Sequence, residues 1–240
     1  MTYIWAHRGA SGYAPENTLE AYELADKMHA DGIELDVQLS KDGQVVVCHD
    51  ETIDRTSDHK GFIKDYTLSE LKTFNFNNKN EKYSFCHIPT LEEVLKQVKP
   101  TNMIINIELK TGIFDYPTIE EKTIELVKKY AMEDRIVYSS FNHYTILNIL
   151  KLNPQADCGF LHTDGIIDIA DYAVKYNVKN LHPAFYFLLN ERYYHEAIIH
   201  GLKINAWTIN EEKYIQAALK LNINAIITNY PDLAINLCGK

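Results

Sequence analysis

The chain has 240 residues, 46% of them hydrophobic and 24% charged, with a formal net charge of −9. This is the composition of a soluble globular fold with ample core, and its acidity excludes non-specific binding to nucleic acid or to an anionic membrane, both of which need a basic surface. No apolar stretch reaches transmembrane length, no signal peptide opens the chain, and Cys48, Cys86, Cys158 and Cys238 lack metal-type spacing, so reduced thiols and a cytoplasmic location are expected.

Taken in order, the chain repeats a short apolar strand, a polar turn and a helix. Residues 3–6 predict a strand, and Asn17 with Glu20 three residues on predicts the N-cap of a helix through Leu19, Tyr22, Leu24 and Met28. Residues 32–39 alternate strictly, with Ile33, Leu35, Val37 and Leu39 on one face and Glu34, Asp36 and Gln38 on the other. Glu34 and Asp36 are then roughly 6.6 Å apart along the strand. Two carboxylates that close call for a cation between them, unless the strand is antiparallel with one wet face. Residues 45–48 predict a short strand ending at His49-Asp50.

From 51 to 88 the rhythm breaks into a polar, aromatic, asparagine-rich segment. It predicts an insertion folded on the main body, with a short helix starting at Thr67 and with Phe62, Tyr66, Leu68, Leu71, Phe74 and Phe76 to bury. The rhythm resumes at Thr90-Leu91-Glu92-Glu93, a capping box opening a helix to residue 98. Strands are predicted at 103–109, 135–139, 157–161, 180–182, 202–207 and 225–228. Helices are predicted at 118–130, 142–152, 164–176, 190–199, 210–221 and 231–237. Alternating βα units imply a parallel sheet, and about eight of them at this length imply a closed (β/α)8 TIM barrel, one domain over residues 1–240 with an insertion at about 51–88.

In such a barrel, reactive groups belong at the C-terminal ends of the strands. His7 and Arg8 close the first strand, Glu34 and Asp36 lie on the second, and His49 ends the next short strand. Glu108 and Lys110 share a face near the end of the strand at 103–109, and Trp207 ends a later strand. Glu34, Asp36 and Glu108 are hard oxygen ligands suited to Mg²⁺ or Ca²⁺. Arg8 and Lys110 suit phosphate oxygens, and His7 and His49 can exchange protons near neutral pH as an acid–base pair. Together they supply positioning, charge neutralisation and proton transfer, which is what phosphoryl transfer needs. The sequence does not decide which histidine is acid and which base. His29, His59, His87, His143, His195 and His200 carry no functional expectation, and His182, ending a short strand before Pro183, stands between the two groups.

The chain resembles the glycerophosphodiester phosphodiesterases. The resemblance rests on His7-Arg8-Gly9-Ala10, Ala14-Pro15-Glu16-Asn17-Thr18, Ile33-Glu34-Leu35-Asp36-Val37, Asp42-Gly43, Val46-Val47-Cys48-His49-Asp50 and Arg55-Thr56. It continues through Pro89-Thr90-Leu91-Glu92-Glu93-Val94-Leu95, Asn106-Ile107-Glu108-Leu109-Lys110, Ser140-Phe141 and Ala206-Trp207-Thr208-Ile209-Asn210. It implies one divalent cation on Glu34, Asp36 and Glu108, catalysis by His7 and His49, phosphate binding by Arg8 and Lys110, and Trp207 as a wall for the glycerol end. It further implies attack by the neighbouring glycerol hydroxyl to give a cyclic phosphate, which water opens to sn-glycerol 3-phosphate and an alcohol. One departure is visible: the family commonly carries Thr-Asp-x-Pro after the last strand, and this chain has Thr228-Asn229-Tyr230-Pro231.

Three other readings share these residues. A lysophospholipase D or a phosphoinositide-type phospholipase C keeps the chemistry but needs an apolar slot, for which the insertion offers Phe62, Tyr66, Phe74, Phe76 and Phe85. A non-catalytic barrel binding a phosphorylated ligand should lack a proton carrier or a metal ligand. A barrel aldolase or isomerase could use Lys110 but leaves the three carboxylates unexplained. The partner expected is a small, water-soluble glycerophosphodiester, with no nucleic acid and no stable membrane anchor; the oligomeric state is not legible.

Overall fold

The strict alternation of residues 32–39 becomes a strand buried on both faces, β2 (Gly32–Leu39). In the computed structural model, which describes residues 2–239, β2 is the longest staff of the fold. Around it stand β1 (Tyr3–His7), β4 (Ile104–Leu109), β5 (Ile136–Ser140), β6 (Asp157–His162), β7 (Asn180–Pro183), β8 (Lys203–Ala206) and β9 (Ala225–Thr228). Their order is β1-β9-β8-β7-β6-β5-β4-β2, all parallel, and β1 pairs with β2 to close a (β/α)8 TIM barrel. The remaining strand, β3 (Val45–Val47), runs antiparallel against the far end of β2, with Val37 opposite Val47.

Outward-pointing Ile33, Leu35 and Val37 of β2 and Ile105, Ile107 and Leu109 of β4 join the main core with the helices between strands. These helices are α1 (Leu19–Lys27), α3 (Leu91–Val98), α4 (Ile119–Lys129), α5 (His143–Leu152), α6 (Ile169–Lys175), α7 (Glu191–Ile199), α8 (Glu212–Lys220) and α9 (Pro231–Cys238), with the single-turn α2 (Leu68–Leu71) in residues 51–88. In α3, Leu91, Val94, Leu95 and Val98 make the i, i+3, i+4, i+7 stripe that a helix lays on a sheet. The capping boxes at Thr67 and Thr90 are both formed.

Two local expectations are corrected, and one helix start has an unusual backbone. The cap of α1 is Thr18, whose side chain accepts from the Ala21 amide; Asn17 takes the left-handed conformation (φ 56°) and sends its side chain inward. Thr118, also left-handed at φ 71°, makes no side-chain cap, because an N-cap hydroxyl reaches the helix amides only from extended backbone. The helix foreseen from 164 begins only at Ile169, behind Gly165 and a left-handed Asp168.

Residues 51–88 carry a small core of their own: Ile53, Ile63, Leu71, Phe74, Phe76 and Ile88 close on Val46 and Cys48 beside β3. Phe62 and Phe85 are exposed. Inside the barrel, Trp5, Val137, Ala225 and Ile227 form a plug, and His182 is fully buried with its ring centroid 6.4 Å from that of Trp5. Gly159 makes room for it, since a Cβ there would come within 2.3 Å of His182 Nε2. Among the described residues no helix is long and apolar enough to cross a membrane.

Candidate active site

The inward face of β2 carries Glu34 and Asp36, and register sets Asp36 directly opposite Glu108 of β4. All three carboxylates are buried, and each offers an oxygen within 4.8 Å of the others. Burial raises the Glu34 carboxyl well above its ordinary range, and the charges of Asp36 and Glu108 push it further. Glu108 is also raised by burial, with Lys110 Nζ at 3.0 Å from its Oε1 working the other way. Burial would raise Asp36 too, but Arg8 above all, then His49 and Lys110, hold it down at about 2.

Asp36 Oδ2 accepts from Asn17 Nδ2 at 2.8 Å, whereas Asp36 Oδ1 is buried without a hydrogen-bond partner. Three converging carboxylates with one orphaned oxygen fit a hard divalent cation: the donors are all oxygen, and a cation would relieve both the repulsion and the missing partner.

The end of β1 turns sharply. Arg8 (φ 55°) and Gly9 (φ 79°) are left-handed, and a Cβ on Gly9 would lie 2.6 Å from Ala21 Cβ, so glycine lets the turn sit directly on α1. The turn brings the Arg8 amide to Glu34 Oε2 (3.0 Å) and its guanidinium Nε to 3.4 Å from Asp36 Oδ2. His7 Nδ1 donates to Asn229 Oδ1 at 2.7 Å, and Asn229 is itself fixed through its amide to Asn210 Oδ1. This leaves His7 Nε2 with its lone pair, 3.9 Å from Glu34 Oε2. Burial, helped by Arg8, lowers the His7 pKa to about 4.

His49 comes from outside the barrel wall. β3 and the following residues carry it over the mouth, where Gln38 Nε2 donates to the carbonyls of Cys48 (2.9 Å) and Asp50 (2.8 Å). Its Nδ1 donates to Asp50 Oδ1 at 2.6 Å, and its Nε2 faces Lys110 Nζ at 3.3 Å. The Asp50 carboxyl is held far below its usual range by His49 first and then by Arg55. Burial works against the Lys110 charge, but Glu108 and Asp36 outweigh it.

A cleft with about 340 Å³ of open space joins these groups. His7, Arg8, Glu34, His49, Asn106 and Glu108 line one side; Phe141, Leu161, Trp207 and Ile227 line the other. Trp207 is anchored by Nε1 donating to the His182 carbonyl at 2.8 Å, with Phe141 edge-on at 5.5 Å. All eight residues singled out from the sequence thus gather at one mouth, Lys110 through its contacts to Glu108 and His49, whereas the His182 ring stays inside the barrel. Sequence reasoning missed Gln38, although it follows Glu34 and Asp36 on the same face at the same spacing of two. It also missed Asn17 as a partner of Asp36, and the ionic chain through Glu16 and Arg55.

The profile of the Glycerophosphoryl diester phosphodiesterase family matches residues 7–233. A glycerophosphodiester phosphodiesterase of Caldanaerobacter subterraneus is 41% identical, covering 100% of this chain and 98% of its own length. One from Bacillus altitudinis is 40% identical over 99% and 98%. Among solved structures, an Oleispira antarctica phosphodiesterase in complex with the product sn-glycerol-3-phosphate superposes with a TM-score of 0.91 at 29% identity, covering 100% of this chain and 98% of that one.

Proposed function

This chain belongs to the glycerophosphoryl diester phosphodiesterase family, a family of phosphoric diester hydrolases, and from that premise we propose a metal-dependent hydrolysis of small glycerophosphodiesters to sn-glycerol 3-phosphate and an alcohol. The observation that carries the proposal is the convergence of Glu34, Asp36 and Glu108 within 4.8 Å, beside two histidines and two cationic side chains. The product bound by the Oleispira relative supports the same substrate class.

Mg²⁺ or Ca²⁺ on the three carboxylates supplies positive charge for the phosphate oxygens and for the negative charge that builds up on them. Arg8 and Lys110 orient the phosphate from either side of that cluster. His7, backed by the neutral amide of Asn229, takes the proton of the glycerol hydroxyl next to the ester, and that oxygen attacks phosphorus. His49, backed by the Asp50 carboxylate, gives a proton to the departing alcohol oxygen as its bond to phosphorus breaks. Water then attacks the cyclic phosphate: His49 takes the water proton, and His7 returns its proton to the glycerol oxygen. Trp207 forms the wall against the glycerol carbons, and a cytoplasmic enzyme acting on water-soluble substrates fits the acidic surface.

The test is hydrolysis of glycerophosphocholine by metal-stripped protein, with Mg²⁺ or Ca²⁺ added back and the products separated. Glycerol 3-phosphate appearing only with metal supports the proposal. Phosphocholine as the product means that the other phosphoester bond is cut, and metal-independent turnover removes the cation from the reaction.

A further inference from the structure

Residues 51–88 are a minor part of the chain, but they send one side chain into the ionic structure of the mouth. Arg55 donates from Nε to Asp50 Oδ2 (2.8 Å) and from Nη2 to Asp50 Oδ1 (3.0 Å). The same guanidinium donates from Nη1 to Glu16 Oε2 (2.6 Å) and from Nη2 to Glu16 Oε1 (2.9 Å). It therefore holds two carboxylates at once, each by both oxygens. Beyond Glu16 stands Arg8, whose Nη1 donates to Glu16 Oε1 at 2.8 Å; beyond Asp50 stands the His49 ring.

The arginine is rigidly mounted although its own side chain is 44% exposed. Ile53, two residues before it, is fully buried in the small core of this segment, and Thr56 and Ser57, just after it, are buried as well. The Ile53 amide is bonded to the Gly61 carbonyl and the Ser57 amide to the Ile53 carbonyl. A planar guanidinium with a fixed fork of donors suits two carboxylates in this arrangement, and an ammonium does not.

We propose that Arg55 is a positioning residue that sets the orientation of the His49 ring and of the Arg8 guanidinium together, so that the segment 51–88 serves the reaction as the mount of that arginine. Asp50 can only accept and Lys110 can only donate, so the resting, neutral His49 ring carries its hydrogen on Nδ1 and its lone pair on Nε2, and Nε2 must take up a proton before it can serve the departing oxygen. Without Arg55, Glu16 keeps only Arg8 and Asp50 keeps only His49, and no cation stands between the two carboxylates to fix their directions. The proposal rests on the phosphodiesterase reading for its kinetic consequences, but not for the ring orientation itself.

The test compares wild type, Arg55→Ala and Arg55→Lys in two independent readouts. In the first, kcat and KM for glycerophosphocholine are measured with saturating Mg²⁺, with and without guanidinium ion at low millimolar concentration. Arg55→Ala should lose kcat by roughly 10²-fold, the usual scale for a misplaced acid–base group. Arg55→Lys should recover little of it, and guanidinium should restore Arg55→Ala at least several-fold while leaving wild type unchanged. In the second, the ring ¹⁵N shifts of His49 are recorded at pH 8. Wild type should show the single Nδ1–H tautomer and Arg55→Ala a mixture. Wild-type kcat in Arg55→Ala, a loss that guanidinium does not restore, or an unchanged His49 tautomer would each overturn the proposal. If wild type itself does not hydrolyse the diester, the functional reading fails alone, and the tautomer still decides the role of Arg55.

Discussion

Lys110 stands between two groups of opposite need: its Nζ is 3.0 Å from Glu108 Oε1 and 3.3 Å from His49 Nε2. It neutralises part of the carboxylate cluster and faces the ring nitrogen to which the proposed mechanism gives the proton transfer. Lys110→Met should therefore lower kcat/KM by roughly 10²-fold, the scale for removing one preorganised charge at a reacting phosphate. It should leave Mg²⁺ affinity equal or higher, because Glu108 loses a competing cation. Titration calorimetry with Mg²⁺ checks this; a parallel loss of metal binding would show that Lys110 supports the cluster instead of competing within it.

The two histidines differ in what stands behind them, an amide for His7 and a carboxylate for His49. His7→Ala and His49→Ala should each reduce turnover by roughly 10²–10⁴-fold with little change in melting temperature. Only the His49 variant should retain activity toward a diester whose leaving group is p-nitrophenolate, which departs without being protonated. Equal losses on both substrates would fail to separate an acid from a base.

Burial and the neighbouring carboxylates raise the Glu34 carboxyl well above its ordinary range. The metal-free cluster therefore holds protons more strongly than separate carboxylates do, and a cation entering it must displace them. Binding should release protons and tighten as pH rises. Calorimetry in two buffers of different ionisation enthalpy measures the release, and identical heats in both would contradict it.

His182 is buried inside the barrel, where desolvation lowers its pKa from 6.5 to about 3. The folded chain keeps it neutral while the unfolded chain takes up a proton below 6.5, so its contribution to stability is intact above that pH and is lost as pH falls toward 3. The slope is at most about 1.4 kcal/mol per pH unit for this one group. His182→Gln should flatten the fall in melting temperature between pH 6 and about 4, and an unchanged pH dependence would mean that the ring is protonated in the fold.

Much of this arrangement was legible in the sequence because it is periodic. The alternation of residues 32–39 places Glu34 and Asp36 on one face, the same rule places Glu108 with Lys110, and parallel strands bring all their C-terminal ends to one mouth. What was not legible depends on contacts without a period. Arg55 meets Glu16 across 39 positions of chain, and nothing in the spacing of the two announces it. Asn17 looked like a cap because caps and buried amides use the same residue; the neighbouring Thr18 took the cap and released Asn17 to Asp36. The direction of β3 was likewise hidden, since three valines pair equally well either way.

The inward face of β2 also acts as a ruler. Glu34 and Asp36 belong to the carboxylate cluster, and Gln38, one repeat further along, clasps the backbone that bears His49. The spacing between the cluster and that histidine is thus measured in strand repeats of roughly 6.6 Å along a single segment. A slip of β2 by one residue would turn all three side chains outward and drive Ile33, Leu35 and Val37 into the mouth. Such an error destroys the core and the site together. A refolded sample should therefore hold no well-packed but miswired molecules, and its active fraction should equal its folded fraction.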